Sequence, residues 1–364
     1  MSTGRGLRTA VLLVAGLVSF GALGAGELSE KEKATVDRSV ENGLRFLAGS
    51  LRPDGTFEGR EGRSAALPAL AGMAFLSKGY LPGRAPYGEV LNRTIDAVLE
   101  KADLRTDAPY RGYFGQADNG RMYSHAIATL FLSECSGMVD AARQARIDAV
   151  LPLAVRVILD AQRCPKDKPE HVGGWRYHPN SKDSDLSCSG WALMALRSAR
   201  LNGGSVSPEA IEQAVLFIKR TRREKDGAFS YQGNRGQYAE TLTGAGILCL
   251  ELCGRHLAPE NLQAARFVRE SYPKTLVPDN SGYVFYGLYY TAQGLFHIGG
   301  STWREFYSWL AETWIPQQRP DGSWVNAHNG NESNPVYATA MLVLALTVPY
   351  RQLPIYQRDE TVDL

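Results

Sequence analysis

A single unit recurs six times along these 364 residues, and that recurrence restricts the fold more than any other feature. A glycine-rich aromatic loop appears at 52–59 (RPDGTFEG), 110–116 (YRGYFGQ), 173–179 (GGWRYHP), 225–231 (KDGAFSY), 279–286 (DNSGYVFY) and 318–324 (QRPDGSW). Each leads into an apolar segment rich in small residues, over approximately 64–78, 121–136, 185–200, 238–253, 284–298 and 335–347. Glycine after aspartate permits positive φ in the turn. The aromatic residue that follows, such as Phe57, Phe229 or Trp324, can then cover the ends of neighbouring helices.

A second kind of segment lies between these units. Residues 208–223 carry apolar positions at helical spacing opposite a strongly charged face, with Ser207 as a cap and Pro208 in the first turn. Residues 30–48 open with Ser29 and Glu32 at capping-box spacing. Stretches near 87–101, 139–162, 258–271 and 302–315 complete six amphipathic helices. By contrast, 242–254 and 336–348 have almost no charged face, and a helix apolar nearly all round is buried on all sides. Six helices of each type predict an all-α protein in two concentric layers, an inner helical barrel wrapped by an outer one. No sustained period-two alternation marks a strand outside the loops.

Hydrophobic residues make up 44% of the chain and charged residues 21%, enough to build a large core and too apolar for disorder. The 40 basic residues balance 38 acidic ones without clustering, which argues against a nucleic-acid partner. Residues 1–26 read as an export signal: Arg5 and Arg8, an apolar stretch over 9–23, then Gly24, Ala25 and Gly26. The expected location is periplasmic or extracellular. An uncleaved membrane anchor is the alternative, although the apolar run is short for a bilayer span of about 20 residues. An odd count of five cysteines leaves at least one thiol unpaired, and Cys249 and Cys253, one helical turn apart, read as core.

The sharpest motifs resemble a known superfamily. The run Gln318-Arg-Pro-Asp-Gly-Ser-Trp324 resembles the QW repeat of squalene–hopene cyclases and related terpene cyclases. Gln162 with Gly173-Gly174-Trp175 looks like a second copy carrying an insertion. The resemblance implies a single α/α toroid over 27–350, the fold shared with protein prenyltransferase β-subunits, followed by a C-terminal tail at 351–364. Full-length squalene-type cyclases carry two toroids, and this chain has room for one.

Asp183-Ser-Asp185-Leu-Ser187 resembles the D-x-D-D-T motif with which class II terpene cyclases protonate an alkene or epoxide. Asp185 then matches the central acid and Asp183 the first, while Leu186 replaces the last acid and Ser187 the threonine. The bland alternative is that Asp185 caps the helix behind it. The zinc pattern of prenyltransferases is not met. Asp185 and Cys188 are three apart, and Tyr337 stands where that family has His, so no metal or cofactor is expected.

Tyr123, His125, Glu240, Tyr286 and Tyr337 fall at the starts of inner helices, where they could share one rim and, with Trp191, wall a pocket. The implied ligand is an apolar, isoprenoid-like molecule, with membrane-surface contact as a corollary. Two alternatives stay open. One is a binding or scaffolding toroid without chemistry. The other is a hydrolase or lyase using Asp185 and Glu240, which requires the two carboxyls to lie about 5–10 Å apart.

Overall fold

The computed structural model describes residues 29–58, 64–116, 121–256, 258–330 and 332–356. Among them are twelve α-helices and no strands. The odd-numbered helices are α1 (Glu30–Ser50), α3 (Gly88–Leu99), α5 (Ala141–Arg163), α7 (Pro208–Arg220), α9 (Pro259–Thr275) and α11 (Gly300–Trp314). The even-numbered ones are α2 (Ala66–Ser77), α4 (Arg121–Cys135), α6 (Leu186–Leu201), α8 (Ala239–Leu252), α10 (Val284–Ile298) and α12 (Pro335–Leu346).

The even helices form a closed ring: each touches the next, and α12 returns to α2. Their side chains are buried nearly throughout, as in α12, where every residue from Ala338 to Leu346 is buried. The odd helices pack around this ring with one face in and one face out. In α7, Ile211, Ala214, Val215 and Ile218 are buried, while the charged residues face solvent. The protein is thus an all-α toroid of six hairpins, and each inner helix begins within two residues of its expected start.

Local chemistry sets the helix starts. Ser29 and Glu32 form the complete capping box, Ser207 caps α7, and Asn334 Oδ1 accepts from the Val336 N–H at 2.9 Å. The inner ring is tightest between α8 and α10. A Cβ on Gly244 would lie 2.6 Å from the Thr291 backbone nitrogen, so only glycine admits this approach.

The recurring loops act as staples. In four of the six copies the aromatic residue donates its backbone N–H to a side chain one turn into the following inner helix. Trp175 pairs with Ser189 (2.9 Å), Phe229 with Thr243 (3.1 Å), Trp324 with Thr339 (3.0 Å) and Phe114 with His125 (3.3 Å). The indole N–H groups of Trp175 and Trp324 reach back to the outer helix just passed, at Ile158 O and Trp314 O, both 2.7 Å. Gly322 takes φ +90 where a Cβ would meet Asn42 O at 2.4 Å. Gln318 closes that loop through Ser39 O (2.8 Å) and Gly322 O (2.9 Å), and Gln162 does the same through Gly173 O and Ala210 O.

Two expectations about the termini fare differently. The proposed export signal at 1–26 lies outside the described residues. The C-terminal tail expected at 351–364 packs against the domain over its described part, where Leu353, Ile355 and Tyr356 are almost wholly buried. The Ile355 N–H donates to Glu134 Oε2 at 3.2 Å, and the Tyr356 hydroxyl bonds Leu344 O near the end of α12. This segment closes the end of the ring where the inner helices finish. No helix among the described residues is long and apolar enough to cross a membrane.

Candidate functional site

At the opposite end, where the inner helices begin, lies a cavity of about 750 Å³. First-turn residues of all six inner helices reach it, including Leu67, Tyr123, Ser187, Thr241, Tyr286 and Tyr337. Four of these, Tyr123, Ser187, Thr241 and Tyr337, sit two residues before the staple partners His125, Ser189, Thr243 and Thr339. They are one position of the repeat, turned into the lumen four times.

One helical turn deeper, Leu70, Ile127 and Trp191 line the wall with carbon. Trp191 stacks on Tyr289, with ring centroids 5.1 Å apart. Above them the loops supply polar and aromatic groups: Arg176, Tyr177, Tyr231, Tyr238, Tyr283 and Glu332. Tyr238 and Tyr283 are 47% and 37% exposed, which places them at the solvent edge of the cavity.

Two cations stand on this rim. Arg176 lies over the rings of Tyr177 (4.7 Å) and Tyr231 (5.4 Å), whose hydroxyls are hydrogen-bonded to each other. Arg121 covers Tyr177 at 5.1 Å. Arg176 is in ion-pair range of Asp183 (3.1 Å) and Asp185 (3.5 Å), whereas Arg121 pairs with no carboxylate among the described residues. Glu332 is buried, and its carboxylate accepts the N–H groups of Phe285 (3.1 Å) and Tyr286 (2.9 Å). It caps α10 from the sixth loop, and burial raises its pKa.

The two acids singled out from the sequence are held differently. Asp183 is half exposed beside Arg176. Asp185 is fully buried and is the N-cap of α6: its Oδ1 accepts the Cys188 N–H at 2.8 Å and the Ser187 hydroxyl at 2.9 Å. Its Oδ2 has no hydrogen-bond partner. Burial pushes this carboxyl up to about 6, against the opposing pull of those two hydrogen bonds and of Arg176. Asp185 does not itself line the cavity; Ser187 does, and its hydroxyl is hydrogen-bonded to that of Tyr123.

Two candidate rim residues are placed elsewhere. His125 is fully buried, with Nδ1 accepting the Phe114 N–H and Nε2 3.0 Å from Ala154 O. Burial lowers its pKa to about 4, so the neutral ring is the Ser189 equivalent of its repeat, a staple partner and not a cavity group. Glu240 is exposed and off the lining, because the second position of α8 faces out of the ring while Thr241 beside it faces in. The carboxylate pair of Asp185 and Glu240 is therefore not assembled across the cavity.

Sequence reasoning missed Arg176, Tyr177, Tyr231 and Glu332. The two tyrosines had a signal: each lies two residues after the loop aromatic, at Trp175 and Phe229. Glu332 had none, since its partners on α10 are 46 and 47 residues away in sequence.

No family model and no curated protein matches this chain. Solved structures do share its fold. A type II terpene cyclase from Scytonema, in complex with its product merosterolic acid A, superposes with a TM-score of 0.54 at 17% identity, over 88% of this chain and 98% of that one. An inactive α-1,6-mannanase variant of Salegentibacter sp., bound to α-1,6-mannotriose, gives 0.61 at 13% identity over 86% and 99%. A D-mannose isomerase gives 0.58 at 14% over 89% and 98%. Identities this low establish the α/α toroid and leave the chemistry to the site.

Proposed function

We propose that this toroid binds an amphipathic, isoprenoid-like small molecule in its central cavity, outside the cytoplasm if residues 1–26 act as an export signal. The observation that carries the reading is the layering of the cavity wall. Leu70, Ile127 and Trp191 offer hydrocarbon one turn below a rim of hydroxyls and guanidinium groups. A chain with one polar end matches that gradient, since apolar burial gives roughly 25 cal/mol per Å² and the polar end keeps its hydrogen bonds. The volume falls within the roughly 300–1,000 Å³ of ordinary ligand pockets.

Direct protonation of the ligand by Asp185 gains no support from the geometry. Its Oδ1 is committed to Cys188 and Ser187, and the carboxyl stands behind the lining. Binding alone accounts for the wall. The terpene cyclase neighbour was also solved with geranylgeranyl dihydroxybenzoate as substrate, whereas the mannanase neighbour was solved with mannose oligomers. The tyrosine-rich rim makes a sugar the competing ligand class.

Native mass spectrometry separates the two. The wild type and a cavity-filling Ala66→Trp variant are incubated with a lipid extract and, separately, with α-mannooligosaccharides. The expected result is a retained lipid of isoprenoid mass on the wild type and none on the variant. Retention of sugar alone replaces the reading with a carbohydrate site, and retention of neither overturns it.

A further inference from the structure

A carboxyl behind the cavity wall and two hydroxyls on it form a continuous hydrogen-bonded chain. Asp185 Oδ1 is bonded to Ser187 Oγ at 2.9 Å, and Ser187 Oγ to the hydroxyl of Tyr123, which faces the cavity. Each hydroxyl has one proton to give, so the direction of the whole chain is set at its buried end. When the carboxyl is ionised it can only accept. Ser187 then donates to it, Tyr123 gives its one proton inward, to Ser187 or to the Cys188 sulfur beside it, and Tyr123 shows the cavity only its lone pairs. When the carboxyl is protonated the chain can reverse: Asp185 donates to Ser187, Ser187 to Tyr123, and the tyrosine proton points at the ligand.

We infer that Tyr123 is the residue that selects the ligand's polar end, its hydroxyl made donor or acceptor by a two-step relay from Asp185 through Ser187. The inference rests on the reading of the cavity as a small-molecule site and adds the chemistry of the polar end. That end is an uncharged oxygen function, an alcohol when Tyr123 accepts and a carbonyl when it donates. Asp185 Oδ2 makes no hydrogen bond and lies 3.5 Å from Arg176 Nε, so the relay leaves the carboxyl through Oδ1.

The surroundings allow the carboxyl to change state near neutrality. Burial holds Asp185 at about 6. The charged or titratable groups that face it are Arg176 and Asp183 from the preceding loop, Cys188 on α6, Tyr231 from the next loop, Tyr123 on α4 and Tyr286 on α10. Burial keeps Cys188, Tyr123 and Tyr286 well above their ordinary values, so they stay protonated over the range in which Asp185 changes. Glu332 is the carboxyl that lines the cavity itself, and it is not part of the relay.

The test uses a matched pair of isoprenoid probes that do not titrate: all-trans-retinol, which donates, and all-trans-retinal, which only accepts. Their dissociation constants are measured on the full chain by fluorescence and absorbance at pH 5 and pH 8. One net hydrogen bond predicts that the preference for retinal over retinol is about fivefold greater at pH 5 than at pH 8. Tyr123→Phe and Ser187→Ala, the second of which keeps the Asp185 cap on Cys188, are each expected to make the ratio independent of pH. Glu332 is intact in both variants, so any contribution of its own would persist there. Two patterns overturn the relay while leaving the binding reading intact: a pH-independent ratio in the wild type, or a pH dependence that survives in both variants. Failure of either probe to bind at all overturns the relay together with the isoprenoid reading.

Discussion

The two ends of the inner ring both bury carboxyls, and Asp185 at one end and Glu134 at the other, each of nearly zero exposure, are used in opposite ways. At the open end Asp185 caps α6 and connects through Ser187 to the cavity. At the closed end Glu134 accepts from the Ser198 hydroxyl and from the backbone N–H of Ile355, which pins the C-terminal segment across the ring. Burial raises both, Asp185 to about 6 and Glu134 to about 7. Desolvation is the shared cause, and the partners make the difference. Glu134 is satisfied by groups of the fold itself, so its end behaves as a seam. Asp185 is satisfied in part by a hydroxyl that also faces empty space, so its end has a degree of freedom left for a ligand.

The largest effect that sharpens this contrast comes from removing residues 351–364. The closed end then loses the burial of Leu353, Ile355 and Tyr356, at about 1.5–3 kcal/mol for each large side chain. Urea denaturation is expected to show a loss of roughly 5 kcal/mol in unfolding free energy. An unchanged midpoint would mean that the ring does not depend on its closure.

A smaller effect compares the carboxyls through pH. Both hold a proton more tightly folded than unfolded, so folding takes up protons. Stability therefore falls as pH rises from the ordinary carboxylate range through about 6 for Asp185 and about 7 for Glu134, then levels. His125 acts in the opposite sense: its folded pKa is depressed to about 4, and its contribution is lost as pH falls through the interval below about 6.5. Denaturation between pH 4 and 8 should show the gap between Glu134→Gln and the wild type shifting in favour of the variant up to about 7. For Asp185→Asn the same shift should stop near 6. Parallel curves would show that neither carboxyl is desolvated as described.

The smallest expected difference tests the seam against the open site. Ser198→Ala removes a donor from a carboxyl with no route to solvent and should cost about 1–3 kcal/mol. Ser187→Ala leaves Asp185 its Cys188 bond and opens it toward the cavity, so the cost should stay under about 1 kcal/mol. Equal costs measured by denaturation would erase the distinction between the two ends.

The repeat made most of the architecture legible. Alternating all-apolar and one-sided helices carry their own burial in their composition, and caps such as Ser29, Ser207 and Asp185 mark their starts by local hydrogen bonding. Phasing the repeat against the staples would also have exposed Tyr177 and Tyr231, and would have removed His125 from the rim. Glu240 shows the limit of proximity to a helix start: adjacent Thr241 lines the cavity while Glu240 points to water. The rotation of α8 about its axis decides that, and packing against α6 and α10 sets the rotation.

Sequence by itself determined the number of hairpins, the order of inner and outer helices, the staple loops and the cap role available to Asp185, because each rests on contacts within one or two repeats. Only the tertiary structure decided that residues 353–356 close one end, that Glu332 reaches the start of α10, and that Tyr123 meets Ser187 across α4 and α6. Those pairings join groups from 46 to more than 200 residues apart. No local pattern encodes them, because they exist only once ring closure fixes where each helix end lies.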